Sequence, residues 1–327
     1  MGHGALRTRR REDQIHRSTT MAPVTFHLVL ATQPEDFLSA LKALPAASRP
    51  IYVGEVHHWM HAPTTLSTAG LIGSGATMKQ WHHLIIHTAS SPQALSLPPG
   101  LDEHVQEKWS ITSEISDDIL SSYATALAPR LASTPPPLPS GWSASDTSGL
   151  DASVPPPDLA VSLGLQSHAF GADRETEKPV VLKDWIRSFG KTHTGPVQML
   201  NLDSCNPGRR PDFYGYIMAF GDVGGKIYGG GATLFTFGHD VTAWSAREEE
   251  GEMTVAQAKE KGKGYGTREG PVVGWEDVAL VSYPSIWHFA KLLDDPRYAE
   301  ADRKYKIGVL RDGPLVCCTE VDVHYAE

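Results

Sequence analysis

Two triple-proline runs, at 135–137 and 155–157, sit inside a stretch rich in Ser, Gly and Asp, PRLASTPPPLPSGWSASDTSGLDASVPPPD, at 129–158. Proline fixes φ and gives up its amide donor, and this composition offers too little apolar surface to offset the entropy of ordering it. The stretch therefore reads as a linker or long surface loop, and it divides the chain. We expect an arm at 1–20, an N-terminal α+β domain at 21–128, the Pro-rich linker at 129–158 and a C-terminal α+β domain at 159–327. A chain of 327 residues has room for two cores of ordinary size.

The arm, MGHGALRTRRREDQIHRSTT, lacks the apolar run of a secretory signal and reads as disordered. The net charge of -9 argues against a nucleic-acid surface, because phosphate binding needs a basic field. No apolar run approaches the roughly 20 residues of a membrane span. Three cysteines, two of them adjacent at Cys317 and Cys318, form no disulfide framework and suit a reducing, cytoplasmic compartment. Neighbours in a strand point to opposite faces, so this pair reads as strand packing.

In the N-terminal portion, TFHLVLAT, PIYVGEVHHWM, KQWHHLIIHTA and EKWSITSEIS read as strands. PEDFLSALKAL reads as a helix after the first of them, and DDILSSYATALA as a helix after the last. The C-terminal portion opens with a short helix in KPVVLKDWIRSFG, closed by Gly190. It continues as strand GPVQMLNLD, helix PDFYGYIMAFGDVGGK, strand IYGGGATLFTFGHD, strand GWEDVALVSYP, a helical stretch from Ser285, and strand GPLVCCTEVDVHY. This β-α-β-β-α-β order is the split βαβ, ferredoxin-like pattern. Pro284 ends its strand, Ser285 is placed to cap the helix, and the Pro296 of DDP stops it. Ile286, Phe289 and Leu293 form the sheet-facing stripe, which leaves Trp287 for a contact with the other portion or another subunit.

The C-terminal residues GPVQMLNL, the Tyr214-x-Tyr216 helix, Gly229 to Gly231, WEDVALVSYPS, DPRYAEADR and LRDGPLV resemble the DUF1330 family of the dimeric α+β barrel superfamily. The resemblance covers about half of the chain, from Gly195 onward. The sequence departs from the family by the insertion TAWSAREEEGEMTVAQAKEKGKGYGTREGP and by its whole N-terminal portion. The resemblance implies that each βαββαβ unit pairs its sheet with another. Two such units in one chain would then make a tandem, pseudo-dimeric α+β barrel, with a further homodimer left open. It also implies a pocket between sheet and helices, and cofactor-free cyclases, lactone isomerases, monooxygenases and haem enzymes share this plan. By position in the family's motifs, Asn201, Tyr216 and Arg303 are carried over as site residues.

Fold alone does not fix chemistry, so the candidates come from residue types. His239 follows Phe235 and Phe237 on one strand face beside Asp240 and reads either as a general base or as a solvated loop histidine. Asn201 and Asp203 interrupt an apolar strand and must find partners or a cavity. Tyr283 and Tyr216 complete the catalytic candidates. Arg303, His288, Trp275, His57 and His83 are the ligand-binding candidates, and Arg303 reads equally as a tie to neighbouring carboxylates. Strict alternation places Glu55, His57, Trp59 and His61 on one strand face, and Trp81, His83 and His87 on another. Residues two apart on a strand splay along it, so neither set is a recognised metal spacing, and we expect no metal and no cofactor. The expectation is a cofactor-independent enzyme working by acid–base chemistry on a small polyketide- or lactone-like molecule. The alternative is a non-catalytic, ligand-binding or stress-related barrel.

Overall fold

The computed structural model describes residues 20–73, 79–88, 96–132, 166–169, 180–235, 241–244 and 274–325. The arm, most of the Pro-rich stretch, His239 and most of the insertion lie outside the described residues.

Strand β1 (Met21–Ala31) is buried on both faces: Val24, Phe26 and Leu28 point one way, Thr25, His27 and Val29 the other. Such a strand must lie inside a sheet, and it pairs antiparallel with β3 (His83–Thr88) and β4 (Val105–Ser116). Helix α1 (Pro34–Lys42) begins on a proline whose missing amide would be unsatisfied there anyway, and Glu35 and Asp36 meet the positive end of its dipole. It buries Phe37 and Leu41 against Val29 and Ile85. Strand β2 (Tyr52–His61) follows and pairs with β3. A short helix α2 (Thr68–Ile72), absent from the sequence reading, lies between β2 and β3. Helix α3 (Asp117–Ala132) comes after β4.

Two short strands, β5 (Gln166–Ala169) and β6 (Val180–Val181), pair with each other, and β5 pairs with β2. Helix α4 (Leu182–Thr192) then leads to β7 (Val197–Cys205), α5 (Arg210–Phe220) and β8 (Gly231–Phe235). After β9 (Val241–Trp244) come β10 (Asp277–Tyr283), α6 (Ile286–Leu293), α7 (Pro296–Tyr305), β11 (Leu310–Asp312) and β12 (Leu315–Glu320).

The sheet runs β8-β10-β7-β12-β2-β3-β1-β4-β9, each neighbouring pair antiparallel. Its first and last strands are separated in the chain only by residues 236–240, so the sheet curls round on itself. The fold is mixed α+β with a curled antiparallel sheet. Side chains from both portions of the chain share its inner face: Phe26, Trp59, Trp81, Trp109, Leu200, Leu234, Trp275, Leu280 and Val316 form one cluster. Each such side chain contributes on the order of 1.5–3 kcal/mol when taken fully from water. A second cluster on the outer face joins Met199, Val281 and Tyr283 to Trp185, Ile186, Ile286, Trp287 and Phe289. Cys318 belongs to the inner cluster and Cys317 to the outer one, as alternation requires.

Several expectations change. Between β3 and β4 the described residues hold only the single turn Asp102–His104, so the N-terminal portion shows no second crossover helix there. Gly190 does not close α4 but lies within it, and a glycine is needed there because the indole of Trp287 occupies the space a side chain would take. Trp287 accordingly packs α6 on α4, its Nε1 donating to the Gly190 carbonyl at 3.3 Å, rather than reaching the N-terminal portion. Strict alternation also fails on β2, whose register against β12 shifts between Cys317 and Cys318 and again between Leu315 and Val316. Such irregularities turn successive side chains off the two-residue repeat. Val56 and Trp59 thus both enter the inner core, while His57 and His58 both face α4, against Phe189 at 5.0 Å and Trp185 at 4.1 Å between ring centroids. On the other proposed face, Trp81 joins the inner core with Leu84, whereas His83 stacks on Phe37 at 5.3 Å.

Candidate functional site

The end of β2, the start of α4, the C-terminal half of α6, the inner side of α7 and the β11–β12 segment line a partly open cavity of about 290 Å³. Met60, Leu182, Phe289, Leu293 and Leu315 give it an apolar wall, and His61, Tyr298, Asp302, Lys306 and Arg311 give it polar groups. It lies between the sheet and its helices.

Helix geometry brings the polar groups together: Tyr298, Asp302 and Lys306 are four residues apart on α7 and its final turn, hence on one face. The helix stops because Lys306 and Ile307 donate their amides to the Asp302 carbonyl and Gly308 takes a φ of 72°, a left-handed conformation glycine adopts without strain. Lys306 therefore sits at the negative end of the helix dipole, which favours its cation. Burial opposes that charge, but Tyr298, Asp302, Asp203 and Tyr283 outweigh it and hold the ammonium above the usual lysine range. Its nearest carboxylate oxygen is Asp302 Oδ1 at 3.9 Å, and it lies 5.1 Å over the Tyr216 ring.

Across the cavity, His61 Nδ1 lies 3.0 Å from the Gly313 carbonyl oxygen. A carbonyl only accepts, so in neutral His61 the proton sits on Nδ1 and the lone pair on Nε2. Burial, then the Lys306 charge, push the imidazole below its ordinary value, so it is neutral near pH ~7. The neighbouring wall is braced by Asp312, whose carboxylate accepts the amides of Thr65 at 2.7 Å and Leu66 at 2.8 Å.

Of the expected catalytic residues, Tyr216, Tyr283 and Asp203 belong to the ring of groups around Lys306. The hydroxyls of Tyr216 and Tyr298 are 2.6 Å apart. Burial first, and Asp302 next, raise Tyr216, so the phenol stays protonated. Tyr283 stands one layer back, edge-on to Phe289 at 5.1 Å, and burial keeps it protonated too. Asp203 is pushed up to about 7 by burial, with Asp277 and Glu276 adding to the shift and Lys306 opposing it. Asn201 is half-buried on β7, donating from Nδ2 to the Met199 carbonyl at 2.9 Å.

The expected binding residues are not gathered at the cavity. Arg303 is exposed on α7 and paired with Glu300. His288 is buried at the start of α6, where its Nδ1 lies 2.8 Å from Ser285 Oγ. Trp275 is wholly buried in the inner core. His57 bonds Thr319 Oγ1 at 2.8 Å and, desolvated, is lowered to about 4, with His193 adding to the shift. His83 packs on α1. Among the described residues no three His, Cys, Asp or Glu side chains are grouped as a metal would need. No helix among them is long and apolar enough to cross a membrane. Lys306, Tyr298, Asp302 and Arg311 were not among the residues expected from the sequence. The pattern Tyr298, Asp302, Lys306 before Gly308 was a readable signal, a polar stripe running to a helix end.

No protein-family model matches the chain, and no curated protein matches it. Among solved structures it is similar to the RPA0582 protein of unknown function from Rhodopseudomonas palustris, at 22% identity over 43% of this chain and 92% of that one, with a TM-score of 0.28. It is also similar to methylated RPA0582, at 21% identity over 43% and 90% of the two chains, with a TM-score of 0.25. Likeness at these TM-scores carries no functional argument.

Proposed function

We propose that this chain is a cofactor-independent enzyme that performs acid–base chemistry on a small organic, polyketide- or lactone-like molecule, in a barrel made of two related ferredoxin-like portions. The strand orders β4-β1-β3-β2 and β12-β7-β10-β8 correspond position for position, which supports the tandem reading. The observation that carries the chemistry is the pairing of a neutral, tautomer-fixed His61 with the Lys306 cation in one largely apolar cavity.

In this reading His61 Nε2 removes a proton from a carbon next to a carbonyl. Lys306 stabilises the negative charge that develops on the carbonyl oxygen, and a nearby cation in a partly dry site does this well. Tyr298, kept protonated by burial, returns a proton in cyclisation, isomerisation or elimination. Phe289 and Leu293 give the reacting groups an apolar wall on one side.

A second reading, a non-catalytic ligand-binding barrel, has its own support. The indole N–H groups of Trp59, Trp109 and Trp275 are buried in the inner core and have no hydrogen-bond partner among the described residues. Buried donors of this kind usually have an acceptor, and a bound ligand would supply one. The two readings separate in D2O. Small ketones, β-keto esters and lactones are incubated with the full chain, and deuterium uptake at the activated carbon is followed by NMR. Uptake above the buffer rate supports the enzyme; binding without uptake across the panel supports the binder.

A further inference from the structure

We infer that the cavity takes a small organic carboxylate, its charged end on Lys306 and its apolar body along Phe289, Leu293, Met60 and Leu182. This deepens, and rests on, the reading of the cavity as the functional site.

Lys306 is the reason. Its side chain keeps 28% of its exposure at the cavity, and no acceptor among the described residues lies within hydrogen-bond distance of Nζ. Asp302 Oδ1, at 3.9 Å, is too far to accept a hydrogen bond from it. The other carboxylate on the wall is already engaged, since Asp312 accepts from Thr64, Thr65, Leu66 and Gly313. Asp203, which faces the same cation, holds its proton up to about pH 7. A half-buried ammonium with unused donors is costly to strip of water unless an anionic acceptor replaces it.

Other ligand classes fit less well. A cation would meet Lys306 and Arg311 together. A wholly apolar molecule would fill the wall but desolvate Lys306 without compensation. The volume, about 290 Å³, stands at the lower edge of ordinary ligand pockets and suits a compact acid.

Phenylacetate and its neutral methyl ester are the probes, titrated into the full chain near neutral pH and read by ligand-observed NMR. The wild type should bind the acid more tightly than the ester. Lys306→Met should weaken the acid by roughly 10- to 100-fold, the loss of a charge-assisted hydrogen bond, and leave the ester unchanged. Lys306→Arg, which keeps the cation, should retain the preference. Should Lys306→Met fail to fold, salt replaces it: added NaCl should weaken the acid and spare the ester. Equal binding of acid and ester by the wild type, or acid binding that survives Lys306→Met or salt, overturns the carboxylate inference and leaves the cavity reading standing. Binding of neither probe overturns both.

Discussion

The ring of His61 is held by the backbone of Gly313, Nδ1 to carbonyl oxygen at 3.0 Å, so the main chain of the β11–β12 segment sets which nitrogen faces a ligand. The Gly313 backbone also passes close to Asp203, since a Cβ at Gly313 would lie 3.5 Å from its Oδ1. The base and the buried acid thereby both meet the link between β11 and β12, while the cation comes from the end of α7.

Histidine burial sets one pH dependence. A folded-state value below the ordinary one means that the folded protein binds protons less readily than the unfolded chain. The stability that goes with it is present above about pH 6.5 and lost as pH falls. His57, lowered to about 4, gives the clearest window. His57→Phe should keep the packing on Phe189 and reduce the loss of stability between about pH 6.5 and pH 4, by denaturant titration at stepped pH. An unchanged acid slope would contradict the burial of a neutral His57.

Asp203 has the opposite sign. Its folded value, about 7, lies above that of an unfolded carboxylate. Its contribution is therefore fully present below about pH 3.8 and lost as pH rises through about 7. The stability of wild type relative to Asp203→Asn should fall by up to about 4 kcal/mol across that window. A difference that stays flat with pH would mean that Asp203 is ionised throughout.

The α4–α6 contact can be tested by a coupled pair. A Cβ on Gly190 would stand 2.5 Å from rigid indole atoms of Trp287. Gly190→Ala should cost about 1–3 kcal/mol, and Trp287→Ala about 3–5 kcal/mol. In the double variant the Gly190→Ala cost should vanish, because the clashing ring is gone. Additive costs would contradict this packing.

Asp312 braces the cavity wall through backbone amides rather than a partner charge. Asp312→Ala takes the acceptor from the buried Leu66 amide and from the part-buried Thr65 amide and should cost about 3 kcal/mol, with Asp312→Asn costing less. Chemical denaturation of the two variants would check the order; equal costs would mean that the carboxylate is not the anchor.

Much of the fold was legible because apolar alternation and turn residues mark strands locally. The strands β7, β8, β10 and β12 and their order, the break at Pro296 and the opposed faces of Cys317 and Cys318 all follow from such patterns, whereas the short strands β9 and β11 carry too few residues to show an alternation. What was not legible depends on register. Whether His57 and Trp59 share a face is decided by how β2 meets β12, some 260 positions away in the chain, and a single shift reverses it. The site was half legible for the same reason. Asp203, Tyr216 and Tyr283 stood out as polar groups in apolar elements. Lys306, on a helix end rich in ordinary charges, becomes distinctive only when folding sets it opposite His61.

The central claim, that His61 and Lys306 work together on a carbonyl compound, is tested most directly by deuterium exchange at C3 of 2-oxobutanoate in D2O. The rates to compare are those of wild type, His61→Asn and Lys306→Met, each verified as folded. The wild type should exchange, His61→Asn should fall by roughly 10²–10⁴-fold, and Lys306→Met should show a weaker but clear fall. Exchange by the wild type that persists undiminished in His61→Asn would contradict the claim.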